Sequence, residues 1–144
     1  MTKISKNIKK RISVKSSTDN LAKIRRFVKK TSMQVGFDED SANKIILATD
    51  EACTNIIKHA YKYSTTGKIN VNISFSAKKL RISITDEGSH FNSKSIKEPD
   101  LKKYYEEKRV GGLGMFLMKK LMDEVKYSQP NPHKNKVTLI KYLP

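Results

Sequence analysis

Hydrophobic residues alternate with polar ones along several stretches of this chain, which is the pattern of strands that bury one face. The alternation predicts an opening strand, a hairpin and a closing strand, over residues 9–15, 69–75 with 80–84, and 136–143. Residues 76–79 are expected to form the hairpin turn. A second turn is expected just before the closing strand, at Pro130, Asn131 and Pro132.

Elsewhere, apolar residues recur every three or four positions, which predicts helices. Three are expected: one capped by Thr18 or Asp19 and ended by Gly36, one over 41–61, and one over 112–125. The order β-α-α-β-β-loop-α-β-β predicts an α/β sandwich, an α+β arrangement with helices on one face of a mostly antiparallel, mixed sheet. A doubly wound parallel sheet is excluded because the hairpin connection is too short for a crossover.

The composition suits one domain spanning residues 1–144, with 37% hydrophobic and 31% charged residues. The sequence contains no apolar run of membrane-spanning length, and residues 1–20 lack the apolar block of a signal peptide, so a cytoplasmic location is expected. Cys53 is the only cysteine, which excludes an internal disulfide. The three histidines are scattered and predict no zinc site.

The net charge is +16, from 30 Lys and Arg against 14 Asp and Glu. Such a charge is compatible with a nucleic acid, an acidic protein or an anionic nucleotide as partner. The sequence contains no zinc finger, basic-region helix or RNP-type strand for nucleic-acid readout. The charge therefore leaves the class of partner open.

Three local motifs carry candidate chemistry. Glu51 and Asn55 are four residues apart on one predicted helix, so a carboxylate that can accept a proton lies near an amide oxygen that can bind Mg²⁺. Asp86 and Gly88 end a predicted strand, where a carboxylate can accept a hydrogen bond from an adenine amino group. A glycine-rich segment precedes the third helix and can expose backbone N–H groups to phosphate: Gly111, Gly112, Leu113 and Gly114.

Each motif alone also fits an ordinary helix face, turn or hinge, but their order along the chain is specific. It resembles the GHKL (Bergerat-fold) ATP-binding superfamily of gyrase, Hsp90, histidine kinases and MutL. Within it, the stretches DEACTNIIKHAYK and GGLGMFLMKKLMDEV are most similar to the anti-sigma factor serine kinases of bacterial stress-response and sporulation switches. The resemblance covers nearly the whole chain.

The resemblance implies a set of catalytic and metal-binding roles. Glu51 is the general base that activates the attacking hydroxyl, and Asn55 holds Mg²⁺ against the ATP phosphates. Lys58 is at the position where related kinases often place a phosphate-binding basic residue, although a solvated lysine is an equal alternative. Arg109 can contact phosphate or a partner protein, but its offset from Gly112 differs by one residue from the family pattern.

The resemblance also implies how ATP is held. Asp86 recognises adenine, Gly88 lines the base and Thr138 is a second adenine contact. Residues 92–110 form the lid, and the phosphates meet Gly112, Leu113 and Gly114.

The function that the resemblance implies is an ATP-dependent serine-protein kinase and anti-sigma factor. It would phosphorylate a STAS-type anti-sigma antagonist, sequester a sigma factor and form a homodimer, with no direct contact to nucleic acid or membrane. Two alternatives stay open. One is a nucleotide-binding regulatory module that holds a protein partner without kinase activity, which the presence of Glu51 disfavours, and the other is a nucleic-acid binder driven by charge.

Overall fold

The computed structural model describes residues 7–89 and 110–144, and for residues 110–115 the description is limited to the backbone. The elements in chain order are β1 (Ile8–Lys15), a 3₁₀ turn (Thr18–Asn20), α1 (Leu21–Val35), α2 (Glu39–Asn55), a π-helical turn (Ile56–Ala60), β2 (Lys68–Ser76), β3 (Lys79–Asp86), α3 (Val110–Leu121), β4 (Glu124–Asn131) and β5 (Lys134–Tyr142). For the described residues this order agrees with the predicted one, and β4 is the strand to which the sequence pattern had assigned no residues. No helix among these residues is both long and apolar enough to cross a bilayer.

The five described strands form one sheet in the order β1-β2-β3-β5-β4, and each neighbouring pair is antiparallel. This agrees with the predicted mostly antiparallel sheet, although the described strands include no parallel pair. The β2–β3 hairpin turns at Ala77 and Lys78, which both have positive φ, as a two-residue hairpin loop requires.

The helices form a layer in which α2 contacts both α1 and α3, and α2 also contacts the central strands β3 and β5. Alternating residues of the sheet point into this layer and build the core with the apolar faces of the helices: for example Val71, Ile82, Ile84, Leu139, Ile24, Val28 and Ile45. Cys53 lies fully buried in the same core. Burial raises the pKa of its thiol to about 12, so it stays protonated at neutral pH and is unsuited to act as a nucleophile.

Capping residues set the helix boundaries, and one of them differs from the predicted cap. Ser17, not Thr18 or Asp19, caps the first helical turn, since its Oγ accepts a hydrogen bond from the N–H of Asp19. Asp38 caps α2, since its Oδ1 accepts a hydrogen bond from the N–H of Ser41, and the helix therefore begins at Glu39, two residues before the predicted start. Gly36 ends α1 in the left-handed region with φ of 114°, as predicted.

The predicted third helix is too long at its C-terminal end. Helix α3 stops at Leu121, and Glu124 and Val125 open β4, which continues through Pro130 and Asn131. Edge strands tolerate proline because their outer N–H groups need no partner, and β4 is an edge strand of the described sheet. The expected turn therefore shrinks to Pro132 and His133, and β5 begins at Lys134.

Candidate functional site

Asp86 ends β3 with its side chain buried, 4% exposed, on the helix-facing side of the sheet. Its Oδ1 accepts hydrogen bonds from the N–H of Gly88 and from Nδ2 of Asn135, both at 2.9 Å. These two donors hold the carboxylate in one orientation. A buried carboxylate held in this way is suited to accept a further hydrogen bond from an amino group of a ligand.

Asn135 is part of this site and was missed in the sequence. It pairs with Asp86 across β3 and β5, and its Nδ2 also lies 3.3 Å from the carbonyl oxygen of Gly88 and 3.2 Å from that of Ser89. One amide thus ties the end of β5 to the turn that follows β3. The sequence alone does not reveal this pair, because Asp86 and Asn135 are 49 residues apart and meet only through the register between β3 and β5.

Thr138 does not belong to this site, so its prediction as an adenine contact is wrong. The register pairs it with Ser83, whereas Asp86 pairs with Asn135, three residues away along β5. Because successive side chains of a strand point to opposite faces, an odd separation places Thr138 on the far side of the sheet from Asp86.

Gly88 is required by a close neighbour. A Cβ at this position would lie 2.5 Å from the carbonyl oxygen of Ala60, closer than such atoms approach. The N–H of Ser89 donates to that same oxygen at 2.8 Å. The turn after Asp86 is therefore docked onto the C-terminal end of the helical segment that carries Glu51 and Asn55.

Tyr61 fixes the same junction from a second side. Its hydroxyl donates to the carbonyl of Lys68 at 2.6 Å and accepts from the N–H of Glu87 at 2.8 Å. A Cβ on Gly67 would overlap the tyrosine ring. One side chain thus connects the end of the helix, the start of β2 and the residue directly after Asp86.

Replacing Gly88 by alanine should destabilise the protein and weaken nucleotide binding, because the added methyl group must push the turn away from Ala60. Overpacking of this kind costs about 1–3 kcal/mol. Thermal unfolding and titration with a fluorescent ATP analogue measure the two effects. Ser89→Ala is the matched control, since it adds no atom and the Ser89 side chain is exposed. Equal melting and binding for Gly88→Ala and wild type would contradict the close approach.

Glu51 and Asn55 both lie on α2, as predicted. The preceding residue, Asp50, points towards α1, where its Oδ1 accepts from Nε of Arg25 at 2.7 Å. Each helical residue is rotated by about 100° from the last, so Glu51 points in a different direction from Asp50. Helix α3 also contacts α2. Glu51 is partly exposed and forms no hydrogen bond or ion pair with the residues that the structure describes.

Asn55 ends α2, and the chain continues in a π-helical turn, a feature frequent at functional sites. The Nδ2 atom of Asn55 is buried and has no hydrogen-bond partner among the described residues. A buried unsatisfied amide is costly, so this side chain is suited to a polar ligand that brings a partner for it. Lys58, in the π-helical turn, is exposed and free to reach an anion.

Gly112, Leu113 and Gly114 lie within α3 rather than before it, because the helix already begins at Val110. The first four N–H groups of a helix have no intrahelical partner, so Gly112 and Leu113 can still offer theirs to phosphate. Arg109 and nearly all of the predicted lid, residues 92–109, lie outside the described residues.

Comparison with known proteins identifies this arrangement. Residues 14–141 match the histidine kinase-like ATPase domain family. The chain belongs to this family. It is also 33% identical over 125 residues to the serine-protein kinase RsbW of Bacillus subtilis, covering 83% of this chain and 76% of that protein. RsbW of Listeria monocytogenes is 35% identical over 97 residues, which are 65% of this chain and 62% of the relative.

Two solved structures share the fold. The RsbU and RsbW domains of a Mycobacterium tuberculosis protein match with a TM-score of 0.69 at 17% identity, over 94% of this chain and 32% of theirs. The SiaB–SiaC complex of Pseudomonas aeruginosa matches with a TM-score of 0.66 at 14% identity, over 91% of this chain and 88% of the matched one. The predicted ATPase fold and membership of the serine-protein kinase family are confirmed.

Proposed function

We propose that this chain is an ATP-dependent serine-protein kinase that phosphorylates a STAS-type anti-sigma antagonist and sequesters a sigma factor. The observation that carries the nucleotide part is the buried Asp86 carboxylate, fixed by Asn135 and Gly88 and docked onto the segment that follows Asn55. The names of the RsbW relatives support the kinase part. The proposal includes a homodimer and a cytoplasmic location, where ATP is available.

In the proposed complex, Asp86 accepts a hydrogen bond from the adenine amino group. Asn55 lies five residues before Ala60 on the same helical segment, and we infer that its amide faces the phosphates while Asp86 faces the adenine. Its unsatisfied buried nitrogen can donate to a phosphate oxygen, and its amide oxygen can hold Mg²⁺. Mg²⁺ supplies neutralisation of the phosphate charge when bound. Lys58 and the N–H groups of Gly112 and Leu113 add positive potential towards the phosphates.

The proposed chemical step needs one proton acceptor, and Glu51 is suited to it. The hydroxyl oxygen of the substrate serine attacks the γ-phosphorus, the bond from that phosphorus to the β–γ bridging oxygen breaks, and ADP leaves. The hydroxyl proton passes to the Glu51 carboxylate. This carboxylate is available because no described residue engages it, whereas the Asp50 carboxylate is held by Arg25.

The direct test is incubation of the full chain with γ-labelled ATP, Mg²⁺ and the STAS-type proteins of the same genome. We expect phosphoserine on one of them, located by mass spectrometry, and none on the others. Tight nucleotide binding without phosphoserine on any candidate would favour the alternative, a regulatory module that binds nucleotide and a partner without catalysis.

A further inference from the structure

The sheet has a second face, turned away from the helices, and its charge is one-sided. By register, the residues of this face include nine basic side chains: Lys9, Arg11, Lys15, Lys68, Lys79, Arg81, Lys126, Lys134 and Lys136. The same strands place one acidic residue there, Glu124, which already pairs with Lys126 at 3.7 Å and accepts from the hydroxyl of Tyr142. We call this surface the basic sheet face.

The basic side chains surround a centre of short, uncharged ones. The central rows are formed by Asn70, Asn72, Ser74, Ser83, Thr85 and Thr138, with Ile140 towards the hairpin end. Near β1 the surface contains a groove of about 410 Å³, and its lining residues are Lys9, Lys10, Arg11, Asn72, Ile73, Ser74 and Ser83. Short, uncharged side chains therefore form the centre of the face, and cations form its rim.

We propose that the basic sheet face docks an acidic protein, and that this docking is separate from the nucleotide site on the helix-facing side. Charge complementarity supports the assignment, because a rim of Lys and Arg steers and orients a surface rich in Asp and Glu. The five strands cover roughly 19 Å by 27 Å, which is of the size that a transient protein complex uses.

Two other occupants fit this surface less well. A second copy of the chain, packed face to face, would place Lys and Arg against Lys and Arg, which is unfavourable. Single-stranded nucleic acid binds through aromatic stacking as well as charge, and Tyr142 is the one aromatic residue that the described strands bring to this face. Helix α1 is also basic, but it offers a narrow stripe in which Arg25 is already paired with Asp50.

The test compares charge reversals on the two surfaces of the full chain. One variant carries Lys9→Glu with Arg11→Glu, and a second carries Lys126→Glu with Lys136→Glu on the opposite rim. The matched control is Lys29→Glu with Lys30→Glu, which makes the same charge change on exposed residues of α1. Labelled poly-L-glutamate at 150 mM salt, a concentration that screens distant charges, is the probe.

We expect each sheet-face variant to weaken poly-L-glutamate binding on the order of tenfold, and the α1 control to change it by about twofold or less. ATP titration should be unchanged in all three variants, which separates a failure here from a failure of the proposed kinase function. Thermal unfolding should stay close to that of wild type, because the ion pair between Lys126 and Glu124 that one variant removes is exposed and contributes little to stability. Equal weakening by the α1 control would overturn the proposal, because net charge alone would then explain binding. Tighter binding of wild type to a 20-base-pair random duplex than to poly-L-glutamate would also overturn the proposal, because the face would then bind nucleic acid. So would a change in self-association alone, measured by sedimentation velocity, because the face would then bind a second copy of the chain.

Discussion

Glu51→Gln is expected to remove phosphotransfer while ATP affinity stays close to that of wild type. Glutamine keeps the size and shape of the side chain but cannot accept the proton of the attacking serine hydroxyl. Loss of a general base typically lowers the rate by a factor of about 10² to 10⁴. Glu51 contacts no described residue through a hydrogen bond or ion pair, so its replacement should leave the fold intact. Single-turnover formation of phosphoserine measures the chemical step, and titration with a fluorescent ATP analogue measures binding.

Asp50→Asn is the matched control for this prediction. It makes the same chemical change one residue earlier on α2, at a carboxylate that Arg25 holds against α1. We expect nearly wild-type phosphotransfer from it, because a partly exposed ion pair of this kind contributes at most about 1 kcal/mol. If Glu51→Gln instead lost ATP affinity and phosphotransfer in equal measure, Glu51 would act in binding or structure and not as the base.

Much of the fold was predictable because burial imposes a period on the sequence. Strand β2 alternates buried and less buried residues throughout, and α2 buries Ile45, Ala48 and Ala52 at helical spacing. These patterns reflect one partner layer on one side, which is what hydrophobic periodicity records. The Asp38 cap and the Gly36 stop were predictable for local reasons, because an aspartate side chain can accept from the N–H groups of a helix start and glycine readily adopts positive φ at a helix end.

Element ends followed other rules and were less predictable. The predicted C-terminal end of α3 was wrong because Val125 fits the hydrophobic pattern of a helix and that of a strand equally well. Ser17, Thr18 and Asp19 all have side chains that can cap a helix, so residue type alone does not decide which of them is the cap, and the structure uses Ser17. The residue types at an element end therefore reduce the number of possible boundaries but do not select one of them.

The candidate site was only half accessible from the sequence. Glu51 and Asn55 share one helix, so their spacing alone places them together. Asn135 and Tyr61 act across strands, through bonds to Asp86 and to the N–H of Glu87, and no local pattern marks them. Thr138 was predicted at the site but does not lie there. It is on β5 like Asn135, but it faces the opposite side of the sheet because strand side chains alternate.

Asp86→Asn is expected to weaken ATP binding by about 10- to 100-fold, the equivalent of one hydrogen bond to a charged group. Asparagine can keep the acceptor that binds the N–H of Gly88 and Nδ2 of Asn135, so the turn should hold its shape. The remaining position changes from a carboxylate oxygen to an NH₂ group. That group cannot accept from the adenine amino group, but it can donate to the carbonyl of guanine. The preference for ATP over GTP should therefore fall more than the overall stability.

Asp38→Asn provides the comparison, since it makes the same substitution at an exposed helix cap where asparagine serves equally well. We expect it to leave nucleotide affinity and the ATP-to-GTP ratio unchanged in parallel titrations. A purely structural role for Asp86 predicts a different outcome, in which ATP and GTP affinities fall together with the melting temperature. The preference for ATP over GTP depends on which atom faces the base, whereas stability depends on the bonds to Gly88 and Asn135. One experiment therefore distinguishes a role of Asp86 in adenine recognition from a purely structural role. Unchanged ATP affinity and selectivity in Asp86→Asn would place the adenine elsewhere on the protein.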